Sequence, residues 1–484
     1  MKRRKAGGCV IGSDIKSRRI VLCVPHYAKR ISRVAQSTIG PPLGLAYIAA
    51  VARSRGYDVS ILDANALGLS DEETARRIAE ARPAVAGFTA VTPTVDQCSR
   101  IAARVRELAP EAFLMLGGTH ATAAAEPTAR RYPHWDLIVR READTRFADL
   151  LEGLAAGRAP GDFEGVTFRD PSGEVVSTPD PAAMVDLDAL PFPARDLLPM
   201  DRYIGPDGDR VTTMIATRGC PASCSYCYVP NAFSKKMRIR DAASVADEIE
   251  QCRRDFGTRN VNFIDDTFTT DKAWVHGLCD TFIRRGLPGR VRWLCLTRVD
   301  MVDEDLLRAM KAAGCFKVEF GIESGDDEVL EAVDKKMRAR QIVEGFRLAR
   351  RVGLETLGFV ILFPPQETEA SLRRTHRFIF EADPDTIQVS FCTPYPGTTL
   401  ERRMREAGIH YDEDWSRYVF LTTPTIDHPR FTRDEMAAWQ KRILRSFYFR
   451  PKTVWRFLAS TWRKGGWGGF ARSAAAGARA LLTS

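Results

Sequence analysis

The chain has 484 residues, 44% hydrophobic and 27% charged, with a formal net charge of +9. That length fits two or three domains with sizeable cores, and that composition excludes a disordered or collagen-like chain. No apolar run approaches the roughly 18 residues that a membrane-spanning helix needs. Eleven Cys, and a basic start at Met1 without the apolar core of a signal peptide, predict a reducing cytoplasm rather than a disulfide framework. The charge is uneven: from Met436 to Ser484 there is no Asp or Glu. An excess of this kind alone does not imply nucleic acid.

In chain order, residues 18–25 read as a buried strand and 42–56 as a helix, with Pro42 near its start and Gly56 at its stop. Residues 58–63 form a second strand. Ser70 caps a helix to residue 82, with Glu73 in the capping-box place. Strands follow at 84–91, 112–117 and 136–139, and helices at 95–108 and 145–156. This alternation predicts a parallel doubly wound sheet, which binds ligands beyond the carboxyl ends of its strands. Those ends carry Pro25-His26-Tyr27, Thr92-Pro93-Thr94, Gly117-Gly118-Thr119-His120 and Arg140-Arg141-Glu142. There is no G-x-G-x-x-G, which weakens a dinucleotide reading; a nucleotide- or cofactor-sized ligand is what this half supports. A hairpin at 165–178 and a Pro- and Asp-rich linker to residue 206 follow.

A strand at 210–216 then runs into Cys220, Cys224 and Cys227, spaced C-x3-C-x2-C. Three clustered thiolates suit a soft metal. A structural zinc wants four protein ligands, and the next Cys or His residues are Cys252 and His276. Three ligands on a [4Fe–4S] cluster would leave one iron open. A zinc knuckle and incidental core thiols are the bland alternatives. Strand and helix patterns alternate again to residue 391, giving six βα units and an open (β/α)6 barrel. The polar residues that stand out lie at strand ends: Asp265-Asp266, Arg298, Glu323-Ser324 and Gln388.

The cysteine spacing, with Tyr226 before the third Cys, resembles the signature of the radical S-adenosylmethionine (SAM) enzymes. Pro41 to Tyr47 and Gly117 to Thr122 resemble the cobalamin-binding domain that precedes many radical SAM domains. The resemblance covers roughly residues 18–400. It implies a cobalamin-binding Rossmann-like domain over 18–158, a hairpin and linker over 159–209, a radical SAM barrel over 210–400 and a helical, basic extension over 401–484. It implies Cys220, Cys224 and Cys227 on a [4Fe–4S] cluster. SAM would meet Tyr226, Asp265, Arg298, Glu323 and Ser324, because its amino group wants oxygen acceptors, its carboxylate wants Arg and its ribose wants Glu or Ser. Rim ion pairs are the bland reading of those residues.

Cobalamin would meet Thr92, Thr94, Gly117, Gly118, His120 and Glu142. The D-x-H-x-x-G motif that supplies an axial histidine is absent, so the resemblance implies base-off cobalamin with no protein His on cobalt. The implied reaction is reductive cleavage of SAM to a 5′-deoxyadenosyl radical, then methylation of an unactivated carbon of a small molecule through methylcobalamin. A flavodoxin or ferredoxin would supply the electron. An oxidative cyclase or ring rearrangement is the near alternative, and a non-catalytic iron–sulfur or zinc regulator that senses a corrinoid the distant one. Two departures stand out: Asp265-Asp266 replaces a common Gly-Gly-Glu-Pro segment, and Phe363-Pro-Pro-Gln-Glu-Thr368 replaces Gly-x-Pro-Gly-Glu-Thr. Beyond residue 401, a loop over the barrel mouth and a helix from Thr432 are expected. Its Arg residues, interleaved with Phe447, Phe449, Trp455 and Trp462, suit either a membrane surface or packing on the barrel with a solvated basic face.

Overall fold

The computed structural model describes residues 19–26, 40–205 and 207–456. The expected features around Tyr27, Pro206, Trp462 and the Ala-rich tail lie outside the described residues.

The first sheet is built from β1 (Ile20–Val24), β2 (Val59–Asp63), β3 (Val85–Thr89), β4 (Phe113–Gly117), β5 (Leu137–Val139), β6 (Val166–Arg169) and β7 (Val175–Ser177), in the order β2-β1-β3-β4-β5-β6-β7. β1 to β5 are parallel, while β6 and β7 add antiparallel strands. The hairpin read as part of a link therefore continues the first sheet. Side-chain alternation explains why the fold is doubly wound. Ile20 and Leu22 enter one core with the helix Leu43–Ser54, and Val21 and Cys23 enter the opposite core with the helix Val95–Leu108. The capping box of Ser70 and Glu73 forms as expected at the helix Asp71–Glu80. Two short helices, Thr119–Ala123 and Ala125–Arg131, were not anticipated, because neither carries a full apolar period.

The second sheet follows β8 (Val211–Met214) and the two-residue strands β9 (Thr217–Arg218) and β10 (Arg238–Ile239). It comprises β8, β11 (Asn260–Phe263), β12 (Arg292–Thr297), β13 (Cys315–Glu323), β14 (Glu355–Leu362) and β15 (Thr386–Phe391). All six run parallel in sequence order, and β8 and β15 do not pair, so the barrel is open. Met214, Phe263, Trp293 and Phe320 pack outward under the helices. Asp241, Asp271, Asp303 and Thr368 each cap a barrel helix by accepting a backbone N–H, which explains the crisp starts of those four.

The helix Arg433–Tyr448 buries Met436, Gln440, Ile443 and Phe447, one helical stripe, against the barrel edge. Gln440 Nε2 donates to the carbonyls of Val389 (2.8 Å) and Leu421 (2.9 Å). The segment before it crosses the mouth, where Phe391 N–H donates to Phe420 O at 2.8 Å.

Candidate functional site

The cysteine loop leaves β8 and is closed at its base by β9 and β10, with Thr217 opposite Ile239 and Arg218 opposite Arg238. Gly219 has φ 103°, and a Cβ there would lie 2.5 Å from Lys236 O, so glycine alone fits. Cys220 N–H donates to Ser234 O (3.2 Å), and Cys227 N–H to Cys224 O (3.0 Å). Ser225 ties the loop on both sides: its N–H reaches Val333 O (3.0 Å), and its carbonyl accepts from Leu400 N–H (2.8 Å). Cys220 Sγ lies 3.3 Å from Thr267 Oγ1.

Burial pushes the Cys227 thiol up to about 12, and the neighbouring Cys224 and Cys220 add to the rise. Three thiols carried on one short loop form a donor set that suits a soft metal cluster. Among the described residues, no three His, Cys, Asp or Glu side chains converge on one ion. The thiolates of a cubane bind separate irons and stand farther apart. The donor set fits an iron–sulfur cluster.

Three of the expected SAM contacts gather beside this loop. Arg298 Nη1 points at Cys224 Sγ (3.7 Å), while Asp300 holds its Nε (3.0 Å) and Nη2 (2.8 Å). Glu323 is buried, pairs with Lys335 Nζ at 2.7 Å and hydrogen-bonds Tyr226, whose phenol burial and Glu323 push well up. Glu323 has φ 59°, at a register shift in β13. A Cβ on Gly321 would lie 2.7 Å from Lys335 Nζ, so that glycine makes room for the pair.

The other two are engaged by protein groups. Asp265 accepts from the backbone N–H groups of Ala216 (3.1 Å) and Thr217, so its carboxylate is taken up in tying β11 to the cysteine loop. Burial raises it to about 7. Ser324 turns away from the mouth, with its hydroxyl 2.9 Å from Thr375 Oγ1 and accepting from Asp326 N–H.

A cavity of about 510 Å³ lies between the two sheets. Pro25, Thr92, Thr94 and Thr119 line it from the first sheet, and Tyr228, Asp266 and Tyr395 from the barrel. It therefore joins the carboxyl ends of the first sheet to the cysteine loop. A Cβ on Gly118 (φ 97°) would lie 2.6 Å from Ala90 O, so glycine lets the β4 loop close on the end of β3. A Cβ on Gly117 would make only ordinary contacts, 3.9 Å from the carbonyls of Phe88 and Val139, and neither Gly117 nor Gly118 lines the cavity. This apolar, threonine-floored slot fits part of a corrin.

Two expected cobalamin contacts are likewise engaged by protein groups. His120 is buried, with Nδ1 3.2 Å from Thr92 Oγ1 and Nε2 3.0 Å from Thr128 Oγ1. Both ring nitrogens are engaged, so it orients Thr92 and offers nothing to a metal. Glu142 is held by Arg218 (2.8 Å) and Arg238 (2.6 Å) and does not line the cavity. Thr94 lines the cavity, but its hydroxyl closes its own turn on Val91.

Sequence reasoning missed Asp266, Lys335 and Tyr228. Asp266 stood in the acidic pair, but nothing said which carboxylate faces the cavity. Burial raises it to about 6, and its partner is Gly219 N–H at 3.3 Å. Tyr228 follows Cys227 directly and carried no separate signal. Lys335 comes back to Glu323 through left-handed Asp334 (φ 55°) and Lys336 (φ 50°), which no pattern announces.

The profile described as "Radical SAM superfamily" matches residues 214–379, and the one described as "B12 binding domain" matches 33–151. The uncharacterised methyltransferase PH0819 of Pyrococcus horikoshii is 31% identical over 440 residues, 91% of this chain and 94% of that protein. The chain belongs to the radical SAM superfamily, in its cobalamin-binding branch. The anaerobic magnesium-protoporphyrin IX monomethyl ester cyclase of Cereibacter sphaeroides is 30% identical to this enzyme over 439 residues, covering 89% of this chain and 70% of that one. Among solved structures, the radical SAM methyltransferase TsrM from Kitasatospora setae, with cobalamin and a [4Fe–4S] cluster bound, superposes with TM-score 0.69 at 18% identity. The match covers 82% of this chain and 81% of that one, a likeness of fold.

Proposed function

We propose that this enzyme methylates an unactivated carbon of a small molecule, using cobalamin, SAM and a [4Fe–4S] cluster on Cys220, Cys224 and Cys227. One observation carries the reading: a single cavity is lined by Thr92 and Thr119 of the first sheet and by Tyr228, the residue after the last cluster cysteine. When bound, the cluster and corrin supply one-electron cleavage of SAM and methyl transfer; the chain supplies binding, orientation and exclusion of water.

Arg298 takes the SAM carboxylate, and its Asp300 clamp limits it to one approach. Glu323, fixed by Lys335 and Tyr226, accepts from ribose hydroxyls or the SAM amino group. Thr92, oriented by His120, meets the corrin. His120 has no free nitrogen, which supports base-off cobalamin without a protein His on cobalt. Tyr228, Phe233, Tyr395 and Phe420 give the barrel side of the cavity an aromatic wall, suited to a substrate with an apolar ring. A flavodoxin or ferredoxin delivers the electron in the cytoplasm. Phe449 (61% exposed) and Trp455 (71% exposed), among Lys441, Arg442 and Lys452, suit passing contact with an anionic membrane surface.

Oxidative cyclisation is the second reading, favoured by the likeness to the cyclase. Anoxically rebuilt protein, reductant and methyl-labelled SAM separate the two. Methylation yields S-adenosylhomocysteine beside 5′-deoxyadenosine and labelled product; cyclisation yields 5′-deoxyadenosine without S-adenosylhomocysteine. No cleavage of SAM with any substrate overturns both and leaves a corrinoid-sensing regulator.

A further inference from the structure

A buried set of charges joins the two sheets behind the cysteine loop. Arg218 Nη1 donates to Glu142 Oε1 (2.8 Å) and Asp144 Oδ2 (2.9 Å), and Nη2 donates to Asp144 Oδ1 (2.9 Å). Arg238, opposite Arg218 in the β9–β10 ladder, donates to Glu142 Oε2 (2.6 Å) and to Val185 O (3.0 Å). Two guanidiniums thus balance two carboxylates, and the Arg218, Glu142 and Asp144 side chains are each less than a tenth exposed.

The placement is specific. Glu142 and Asp144 follow the carboxyl end of β5, on the sheet whose strand ends floor the cavity. Arg141 before them has φ 63°, an uncommon conformation for a non-glycine residue, with its N–H held on Thr122 Oγ1 (2.8 Å). That turn carries Glu142 toward the barrel. Arg218 sits two residues before Cys220, across the obligatory Gly219. The domains touch elsewhere without it: Tyr203 OH donates to Asp63 Oδ2 (2.7 Å), and Thr213 Oγ1 to Pro41 O (2.7 Å). Those contacts hold the sheets together but not the loop. A two-residue ladder orients a loop poorly by itself, whereas a bidentate Arg–carboxylate fork sets direction as well as distance.

We infer that Arg218 is a positioning residue: its fork onto Asp144 and Glu142 sets the cysteine loop at a defined distance from the cobalamin-binding sheet. The inference rests on the cofactor reading above and adds to it the element that keeps the two redox centres in register.

Arg218→Lys keeps the charge and loses the fork. The control is Arg106→Lys, which weakens a part-buried pair with Asp136 inside the first domain. Pulsed dipolar EPR between cob(II)alamin and the reduced cluster reads the distance in the holoprotein. Hydrogen exchange over residues 218–227 reads the loop in the apoprotein. Arg218→Lys is expected to bind iron and cobalamin normally, to broaden the distance distribution about twofold and to speed loop exchange about tenfold. Arg106→Lys should change neither. Asp144→Asn, which weakens the fork from the other side, should repeat the effect if Arg218→Lys does not fold. A wild-type distribution and wild-type exchange in the Arg218 or Asp144 variant overturn the inference, as does an equal change in the control. Wild-type protein that binds no cobalamin or no iron defeats the cofactor reading instead, while exchange still judges Arg218.

Discussion

Arg298 Nη1 lies 3.7 Å from Cys224 Sγ, while Asp300 grips the same guanidinium at Nε and Nη2. A fixed cation thus stands beside one of the three thiols proposed to hold the cluster. An exposed arginine would swing; this one has a single orientation. Arg298→Gln is predicted to leave iron content unchanged and to weaken SAM binding about 10- to 100-fold, the worth of one hydrogen bond to a charged group. Equilibrium binding of SAM to the rebuilt protein checks this. Unaltered affinity would assign Arg298 to the loop alone.

Replacing Cys220, Cys224 or Cys227 with Ala should abolish the roughly four irons per chain that a cubane carries. Cys252→Ala should keep them, because Cys252 is buried in the barrel core away from the loop. Iron analysis and the EPR signal of the reduced cluster read the contrast.

Phe363 has φ 65°, a left-handed conformation that is uncommon for a bulky residue. It is fully buried, packs on Phe391 and Phe431, and its N–H is held by Glu367 at 2.9 Å. Phe363→Gly would relieve about 1 kcal/mol of left-handed strain but lose about 3–5 kcal/mol of packing. A net loss of about 2–4 kcal/mol is expected in chemical denaturation. A more stable variant would mean that the aromatic cluster contributes little.

Lys335 and Glu323 are each under a tenth exposed. Lys335→Met leaves an unpaired buried carboxylate and should cost about 3–5 kcal/mol. Adding Glu323→Gln should recover part of that loss. Strict additivity of the two changes would deny the coupling.

Burial, then Arg131, holds His120 down to about 3, from 6.5. The folded chain keeps it neutral where the unfolded chain protonates it. Its contribution to stability is therefore full above 6.5 and is lost as pH falls from 6.5 to 3. Asp265 acts in the opposite sense. Burial raises it from 3.8 to about 7, so its contribution is full below 3.8 and is lost as pH rises through 7. Denaturation midpoints against pH should show a shallower acid limb in His120→Gln and a shallower fall toward neutrality in Asp265→Asn. Parallel profiles for wild type and both variants would refute the assignment.

Much of this was readable along the chain. Alternation of buried β-branched runs with capped helices announced both sheets, because strands buried on two faces and helices closed by Ser70, Asp241 or Thr432 leave local marks. The thiol set was readable for the same reason: three Cys within eight residues are a local arrangement. Arg298 and Glu323 were legible as strand-end residues. Which member of a strand-end pair faces the ligand was not. Asp265 and Asp266 are chemically identical neighbours, and the backbone N–H groups of Ala216 and Thr217 decide that Asp265 turns inward.

What the sequence determined alone was the type and order of the main strands and helices and the clustering of three thiols on one loop, since these depend on neighbours a few residues away. What only the tertiary structure decided was the use of charges brought together across the chain. Glu142 meets Arg218 across 76 residues and Lys335 meets Glu323 across 12, while His120, expected against the corrin, is held between Thr92 and Thr128. A carboxylate or imidazole has the same local signature whether it faces a cofactor or a buried partner. Packing of the two sheets against each other fixes which of these it meets.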